Sequence, residues 1–137
     1  MTAVRSYTPE HLPVAVYGTL RPGGGNYEWC AAPHRPIVHS GVVEGFALVD
    51  GPGFPYAVPV ADQTIVVDVL SFSIETWADA AHDLDQLEGY PHHYDRVRVF
   101  VEPGEHDGTE AWLYTPRNAA RVIERFGFVL SGDWFNR

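Results

Sequence analysis

The chain has 137 residues, 45% of them hydrophobic and 20% charged, a composition typical of one globular domain with its own core. Nine basic residues, all arginine, stand against eighteen acidic residues and give a formal charge of −9 at pH 7. This acidic balance argues against nucleic acid or an anionic membrane as a partner, and the lack of lysine excludes Schiff-base and Walker-lysine chemistry.

The N-terminal third predicts one buried strand followed by a loop. Residues 1–12 form a polar leader without the apolar segment of a signal peptide, so we expect a cytoplasmic protein. Residues 13–17 are apolar and predict a buried strand that ends at Gly18. The glycine-rich stretch 18–26 predicts a loop, and 27–32 a single helical turn with Asn26 as candidate N-cap.

The remainder is rich in strands. Turns are predicted at 50–53, 61–63 and 103–108. The aromatic tail 131–135 is expected to pack on the body of the protein. The predicted strands are residues 42–49, 56–60 and 64–72, and a hairpin of 96–101 with 109–114.

One clear helix is predicted over 75–87, ended by Gly89 and Pro91. With strands in the majority, the fold class is α+β: a small curled sheet or mixed β-barrel with flanking helices. We expect one domain over 1–137, since no linker or repeat interrupts the chain.

The predicted helix carries a carboxylate on its apolar face. Its apolar stripe is predicted to contain Ile74, Trp77, Ala78, Ala81 and Leu84, with Glu75, Asp79, His82, Asp83 and Gln86 opposite. Glu88 falls near the centre of the stripe, four residues after Leu84. Either it frays toward water or pairs with Arg96, or it is a desolvated carboxylate with a raised pKa, suited to proton transfer. Asp85 is expected to hold a neighbouring backbone group or arginine.

Other candidate sites are weaker. Cys30 with His34 or His39 is a candidate thiol nucleophile and base, but no third orienting group has a suitable spacing. His92 and His93 are adjacent and point to opposite sides in an extended segment, so a shared metal is not expected. Gly18 directly after a buried strand predicts either a simple turn or a nest of backbone amides that binds an anion.

Two segments together resemble the γ-glutamylcyclotransferase-like family. They are residues 16–21 (VYGTLR) and 84–91 (LDQLEGYP), followed by 94–96 (YDR). The Tyr-Gly-Thr-Leu form is similar to the γ-glutamylamine cyclotransferase branch, the AIG2-like proteins. Supporting matches lie at 45–46, 54–59, 111–114 and 131–134, so the resemblance covers roughly residues 13–135.

The resemblance implies a small mixed barrel and a cyclotransferase, an acyltransferase or lyase that releases 5-oxoproline and a free amine from a γ-glutamyl amine or amide. It assigns substrate binding to the loop residues Tyr17, Gly18, Thr19 and Leu20, and proton transfer to Glu88. Tyr114 would supply a pocket hydroxyl. No metal or other cofactor is expected, because nucleophile and electrophile belong to one molecule.

Three points stay open at this level. Arg21 either meets the substrate carboxylate or faces solvent. The same scaffold would also serve a non-catalytic protein that binds a small ligand or a partner, since fold does not fix function. The sequence specifies neither the released amine nor the oligomeric state.

Overall fold

The computed structural model describes residues 8–102 and 109–137, in which six strands and two α-helices are joined by short turns. The turn predicted at 103–108 and the first part of the leader lie outside the described residues. A π-helical turn, Tyr27–Ala31, runs into a 3₁₀ turn at Ala32–His34, and another 3₁₀ turn covers Trp134–Asn136. The main elements are β1 (Val14–Val16), β2 (Ile37–Asp50), β3 (Pro55–Ser71), α1 (Ile74–Glu88), β4 (Tyr94–Val101), β5 (Thr109–Pro116), α2 (Ala119–Arg125) and β6 (Phe128–Val129).

The six strands form one curled sheet in the order β4-β5-β1-β3-β2-β6. Only the β1–β5 pair is parallel; the other pairs are antiparallel. The sheet curls far enough that Glu102, just after β4, forms a bridge with Val42 of β2. The predicted α+β class with a curled mixed sheet is therefore confirmed.

One strand boundary was predicted wrongly. The segments 56–60 and 64–72 are not two strands separated by a turn but the single strand β3. Glu44 of β2 pairs with Thr64 and Phe46 pairs with Pro59, so residues 60–63 of β3 oppose Gly45 alone. Because β2 continues on both sides of this bulge, the turn-forming residues bend β3 without ending it.

Strand β1 separates two layers of the core. Ala15 points into the curl of the sheet, whereas Val14 and Val16 point to the opposite face, where α1 packs. This alternation follows from the two-residue period of a strand. It places the end of β1, and the loop that follows, next to the C-terminal half of α1.

Helix α1 buries a different stripe from the one predicted. Trp77, Ala80, Ala81 and Leu84 are buried, while Ile74 is 64% exposed. Ala78 is exposed too. The buried stripe is rotated because α1 packs against the π-helical turn, whose Cys30 and Ala31 are buried with it. Ala81 and Leu84 belong to both stripes, so Glu88 still falls on the buried side.

Residues 9–11 and the C-terminal tail contact the body of the protein. The indole N–H of Trp77 donates to the Pro9 carbonyl (2.8 Å), and His11 Nε2 lies 2.6 Å from the Phe72 carbonyl. Residues 9–11 of the predicted leader therefore pack on the fold. The tail also docks, as predicted, with Trp134 buried.

Two short elements were not predicted, α2 and β6. Asn118 caps α2 by accepting a hydrogen bond from the Arg121 amide (3.3 Å), and β6 pairs with β2. Within the described residues, no helix is both long and apolar enough to cross a membrane.

Candidate active site

A cavity of about 770 Å³ opens where the end of β1, the end of α1 and the start of α2 meet. It brings together every residue that was assigned a site role from the sequence. Other side chains, most of them from the segments around Phe54 and Tyr94, complete the lining. The lining includes Tyr17, Gly18, Thr19, Leu20, Glu88, Tyr114, Asn26, Phe54, Pro55, Tyr56, His93, Tyr94, Pro116, Asn118 and Val122.

Glu88 occupies the last position of α1 and faces this cavity. Gly89 ends the helix in the left-handed conformation (φ 68°), and the amides of Gly89 and Tyr90 return to carbonyls of the last turn. This Schellman arrangement fixes the direction of the Glu88 side chain. Burial raises the pKa of Glu88 from 4.5 to about 7. Within the described part of the chain, no hydrogen bond or ion pair neutralises its carboxyl group.

Arg96, which the sequence offered as an alternative partner for Glu88, binds a different carboxylate. Its Nε lies 3.0 Å from Asp85 Oδ1, in an ion pair without a well-directed hydrogen bond. The guanidinium also covers the ring of Tyr90 at 3.8 Å from the centroid. Asp85 thus holds an arginine, as expected, and Arg96 does not pair with Glu88.

Three tyrosines surround Glu88. Burial raises the pKa of Tyr17, Tyr94 and Tyr114, and the Glu88 carboxylate raises each of them further. The Tyr17 hydroxyl donates to the Tyr114 carbonyl (2.8 Å), so it fastens β1 to β5. These phenols stay neutral at physiological pH, and all three tyrosines line the same cavity as Glu88.

The Tyr114 side chain lines the cavity with its ring. Its hydroxyl donates a 2.6 Å hydrogen bond to Asp85 Oδ1, so its proton is directed at the protein. Burial raises the pKa of Asp85, although the Tyr114 hydroxyl and Arg96 favour the charged form. Tyr114 lines the cavity, as predicted, but its hydroxyl is a donor to Asp85, and a role for that hydroxyl toward a substrate stays a prediction.

The loop after β1 lines the cavity with Gly18, Thr19 and Leu20. Within the described residues, no acceptor takes the amide hydrogens of Gly18, Thr19 and Leu20. The Thr19 carbonyl accepts from the Asn26 amide (2.9 Å), and the Asn26 side chain donates to Thr19 Oγ1 (2.9 Å). Asn26 stands at the N-cap position of the π-helical turn, as predicted, but its side chain braces this loop and makes no capping hydrogen bond. Such a row of free amides suits an anion or a developing oxyanion.

The reason for glycine at position 18 is steric. Its φ lies outside the left-handed region, but a Cβ there would stand 2.5 Å from Cδ and Cγ of Pro55. Pro55 begins β3 and lines the cavity beside Gly18. The close approach holds the loop against β3, where any side chain would push it away.

Arg21 neither lines the cavity nor faces solvent, so both alternatives for it were wrong. It is buried, with Nε 2.9 Å from Asp68 Oδ2 and an Nη 2.8 Å from Asp133 Oδ1. Its guanidinium also lies over the Phe135 ring at 4.3 Å. Arg21 ties the loop to β3 and to the tail, and its charge is satisfied by protein carboxylates.

Cys30 lies in the core between the π-helical turn and α1. The side chain is buried and its Sγ lies 3.8 Å from the Asp83 carbonyl. Burial raises the pKa of the thiol to about 11, which disfavours the nucleophilic thiolate. His34 contacts Asp83 (2.8 Å) and not the thiol, so the arrangement does not support a thiol enzyme.

Several cavity residues had no role assigned from the sequence. Tyr56 and Pro55 lie in the supporting match 54–59, and Tyr94 begins the match 94–96, so a signal for them existed. Asn118 and Val122 belong to the short helix α2 that was not predicted. In the described portion, no three His, Cys, Asp or Glu side chains are grouped closely enough to share a metal ion.

Comparison with known families gives a match over nearly the whole chain. The sequence model described as "Gamma-glutamyl cyclotransferase, AIG2-like" matches residues 14–136, which includes every cavity residue named above. No curated protein matches the chain significantly.

Solved structures share the fold at low sequence identity. An AIG2-like protein from Mus musculus is 21% identical over 85% of this chain and 84% of its own, with a TM-score of 0.65. An uncharacterised protein from Pyrococcus horikoshii is 22% identical over 91% of both chains, with a TM-score of 0.62. The ytfP protein from Escherichia coli is 25% identical over 92% and 98%, with a TM-score of 0.62. These likenesses establish the fold.

Proposed function

Because the chain belongs to the AIG2-like γ-glutamyl cyclotransferase family, whose members are generally cyclotransferases, we propose that it cyclises the γ-glutamyl group of a γ-glutamyl amine or amide and releases 5-oxoproline and the free amine. One observation carries the proposal. In the described part of the chain, a carboxyl group without a neutralising partner, that of Glu88, and three backbone amides without an acceptor, those of residues 18–20, belong to residues that line the same cavity.

The reaction begins with a proton transfer. The α-ammonium group of the substrate gives a proton to the Glu88 carboxylate, and the neutral amine attacks the γ-carbonyl carbon of the same molecule. A new C–N bond closes the five-membered ring, and the carbonyl oxygen becomes an oxyanion. A base with a pKa of about 7 is well matched to this step at neutral pH.

Collapse of the tetrahedral intermediate needs an acid that protonates the leaving amine, and the oxyanion needs hydrogen-bond donors. The amides of Gly18, Thr19 and Leu20 stabilise the oxyanion as hydrogen-bond donors that are held in position before the reaction. Glu88 returns its proton to the nitrogen of the leaving amine, the old C–N bond breaks, and the carbonyl re-forms. Glu88 then takes the second proton from the ring nitrogen and passes it to the released amine, which departs as its ammonium form. The carboxyl group ends as it began, so one residue serves as base and then as acid.

The proposed reaction has no step for a cofactor. The nucleophile and the electrophile are tethered in one substrate, which supplies the proximity that a second reactant would otherwise lack. We therefore expect turnover to survive prolonged EDTA treatment. Loss of turnover that added zinc or magnesium restores would contradict this part of the proposal.

The test is a panel of γ-glutamyl amines and peptides incubated with the full chain, with 5-oxoproline and the released amine measured by mass spectrometry. Equal molar release of both products is expected from at least one γ-glutamyl amine. Glu88→Gln serves as the inactive form. Glu75→Gln, the same change at an exposed position of α1, is the matched control.

The alternative function is a non-catalytic small-ligand-binding protein on the same scaffold. It predicts saturable binding of γ-glutamyl compounds without 5-oxoproline from any member of the panel. The unpaired Glu88 carboxyl favours the enzyme, because a binding site has no need of a desolvated group that exchanges protons near pH 7.

A further inference from the structure

Beyond the catalytic groups, one side of the cavity is an aromatic wall formed by Phe54, Tyr56 and Tyr94. The rings of Tyr56 and Tyr94 are stacked, with centroids 6.1 Å apart and planes 18° apart. Phe54 meets Tyr56 edge to face at 5.3 Å. The Phe126 ring packs on Tyr56 at 6.0 Å, so the wall is held in place before any ligand binds.

The wall begins beside Glu88 and leads away from it. Tyr94 lies close enough to Glu88 for the Glu88 carboxylate to raise the pKa of Tyr94. Tyr56, which stacks on Tyr94, is the next ring in the series that forms the wall. Phe54 ends the series and is 36% exposed, which leaves part of its ring free for a ligand. A leaving amine attached to a γ-carbonyl held at Glu88 would extend along this wall.

The cavity is larger than a glutamyl group requires. At about 770 Å³ it falls within the range of about 300–1,000 Å³ that holds drug-sized ligands. Beyond the catalytic groups, the lining combines the aromatic wall and the aliphatic Leu87, Pro116 and Val122 with the polar side chains of Asn26, Gln86, His93 and Asn118. The second half of the substrate therefore has an aromatic surface available at the wall, with polar groups elsewhere in the lining.

Charged partners for the leaving amine are lacking. Among the described lining residues, Glu88 is the one carboxylate, and none is an arginine. A leaving group that carries its own ammonium and carboxylate, such as lysine, would lose water without gaining an ion pair. A planar apolar group would instead add an aromatic contact to a preformed cluster.

We propose that the Phe54–Tyr56–Tyr94 wall is a subsite for the leaving group and selects γ-glutamyl derivatives of primary amines that carry an aromatic ring. This inference rests on the proposed function, since it identifies the amine which that reaction would release.

The experiment distinguishes recognition of an aromatic ring from recognition of ligand size, and it measures binding apart from turnover. Binding of γ-glutamyl-phenethylamide, γ-glutamyl-cyclohexylethylamide and Nε-(γ-glutamyl)lysine to the Glu88→Gln protein is measured by calorimetry. Turnover of the three by the wild-type chain is measured as 5-oxoproline release. The first two substrates match in length and shape, and only the first has an aromatic ring.

We expect the phenethylamide to bind about 3- to 10-fold more tightly than its cyclohexyl counterpart, the usual range for one aromatic pair, and the lysine derivative to bind most weakly. When Phe54→Leu is added to Glu88→Gln, the ratio of the affinities for the phenethylamide and the cyclohexylethylamide should move toward one. Phe100→Leu, an exposed phenylalanine on β4 away from the cavity, is the matched control and keeps the ratio.

Equal binding of the two amides, or an unchanged ratio in the Phe54→Leu protein, would overturn the subsite. Turnover of all three substrates without aromatic preference would overturn the subsite and leave the cyclotransferase proposal standing. Aromatic preference in binding without any 5-oxoproline supports the subsite and overturns the reaction.

Discussion

The Tyr114 hydroxyl donates a 2.6 Å hydrogen bond to the carboxylate of Asp85, one turn before Glu88 on α1. This bond joins β5 to the helix that carries the proposed base. Arg96 of β4 pairs with the same carboxylate, so two neighbouring strands hold the end of α1 in position. The proposed catalytic group therefore depends on a buried polar cluster that does not itself react.

We first predict that Tyr114 and Asp85 are energetically coupled. Tyr114→Phe leaves a buried carboxylate short of a donor, so a loss of about 1–3 kcal/mol in the free energy of unfolding is expected. In a cycle with Asp85→Asn, measured by urea unfolding, the coupling energy should be about 1–3 kcal/mol. Tyr27→Phe, with no hydrogen bond to lose in the described structure, is the control. A coupling near zero would show that the hydrogen bond does not stabilise the helix end.

Our second prediction concerns the rate of the Glu88→Gln protein. Glutamine keeps the size of the side chain but cannot accept the ammonium proton, so kcat should fall by about 10²- to 10⁴-fold. The kcat/KM of the wild-type protein should rise with pH along a limb centred near pH 7, as Glu88 loses its proton. Steady-state kinetics on the best γ-glutamyl amine check both. A stable Glu88→Gln protein that releases 5-oxoproline at the wild-type rate would remove Glu88 from the mechanism.

A third prediction follows from the same raised pKa. The folded state binds the Glu88 proton more tightly than the unfolded state, so this group favours folding below pH 4.5. That contribution is lost as pH rises through about 7. Relative to Glu88→Gln, the wild-type free energy of unfolding should fall by up to about 3 kcal/mol across this window. Denaturant titrations at several pH values measure the difference. An unchanged difference across the window would mean that Glu88 is well solvated in the folded state.

The fourth prediction tests the loop. Gly18→Ala places a methyl group 2.5 Å from the Pro55 ring, so the loop must shift away from β3. We expect a loss of about 1–3 kcal/mol in stability and a lower kcat/KM in the protein that remains folded. Gly25→Ala is the matched control, because a Cβ there meets no atom within 4 Å. Equal behaviour of the two variants would show that the approach of Pro55 does not hold the loop.

The last prediction concerns Arg21. Arg21→Met removes the partner of two carboxylates, Asp68 and Asp133, of which Asp68 is buried. We expect a loss of about 3–5 kcal/mol in the free energy of unfolding, typical of an uncompensated buried charge. Arg98→Met, at an exposed ion pair with Glu10, should cost under about 1 kcal/mol. Thermal unfolding of both proteins checks the contrast, and a similar Tm for the two would contradict it.

The amino-acid sequence by itself determined the features that depend on neighbouring residues. The spacing of Ala81, Leu84 and Glu88 put the carboxyl group on the buried side of α1, and Gly89 ended the helix one residue later. The change from the apolar strand β1 to Gly18 marked the start of the loop that lines the cavity. Such signals act within one or two turns of backbone, and their physical basis is local geometry and helix capping.

The tertiary structure alone decided which distant groups meet. Arg21 finds Asp68 and Asp133, 47 and 112 residues along the chain, and no local pattern pairs them. Packing against the π-helical turn exposed Ile74, and the continuous partner strand β2 kept β3 in one piece. The stack of Tyr56 and Tyr94 likewise exists because the curled sheet brings the start of β3 near the start of β4. Contacts of this kind depend on how whole elements pack, whereas periodicity and turn chemistry report only on the element in which they occur.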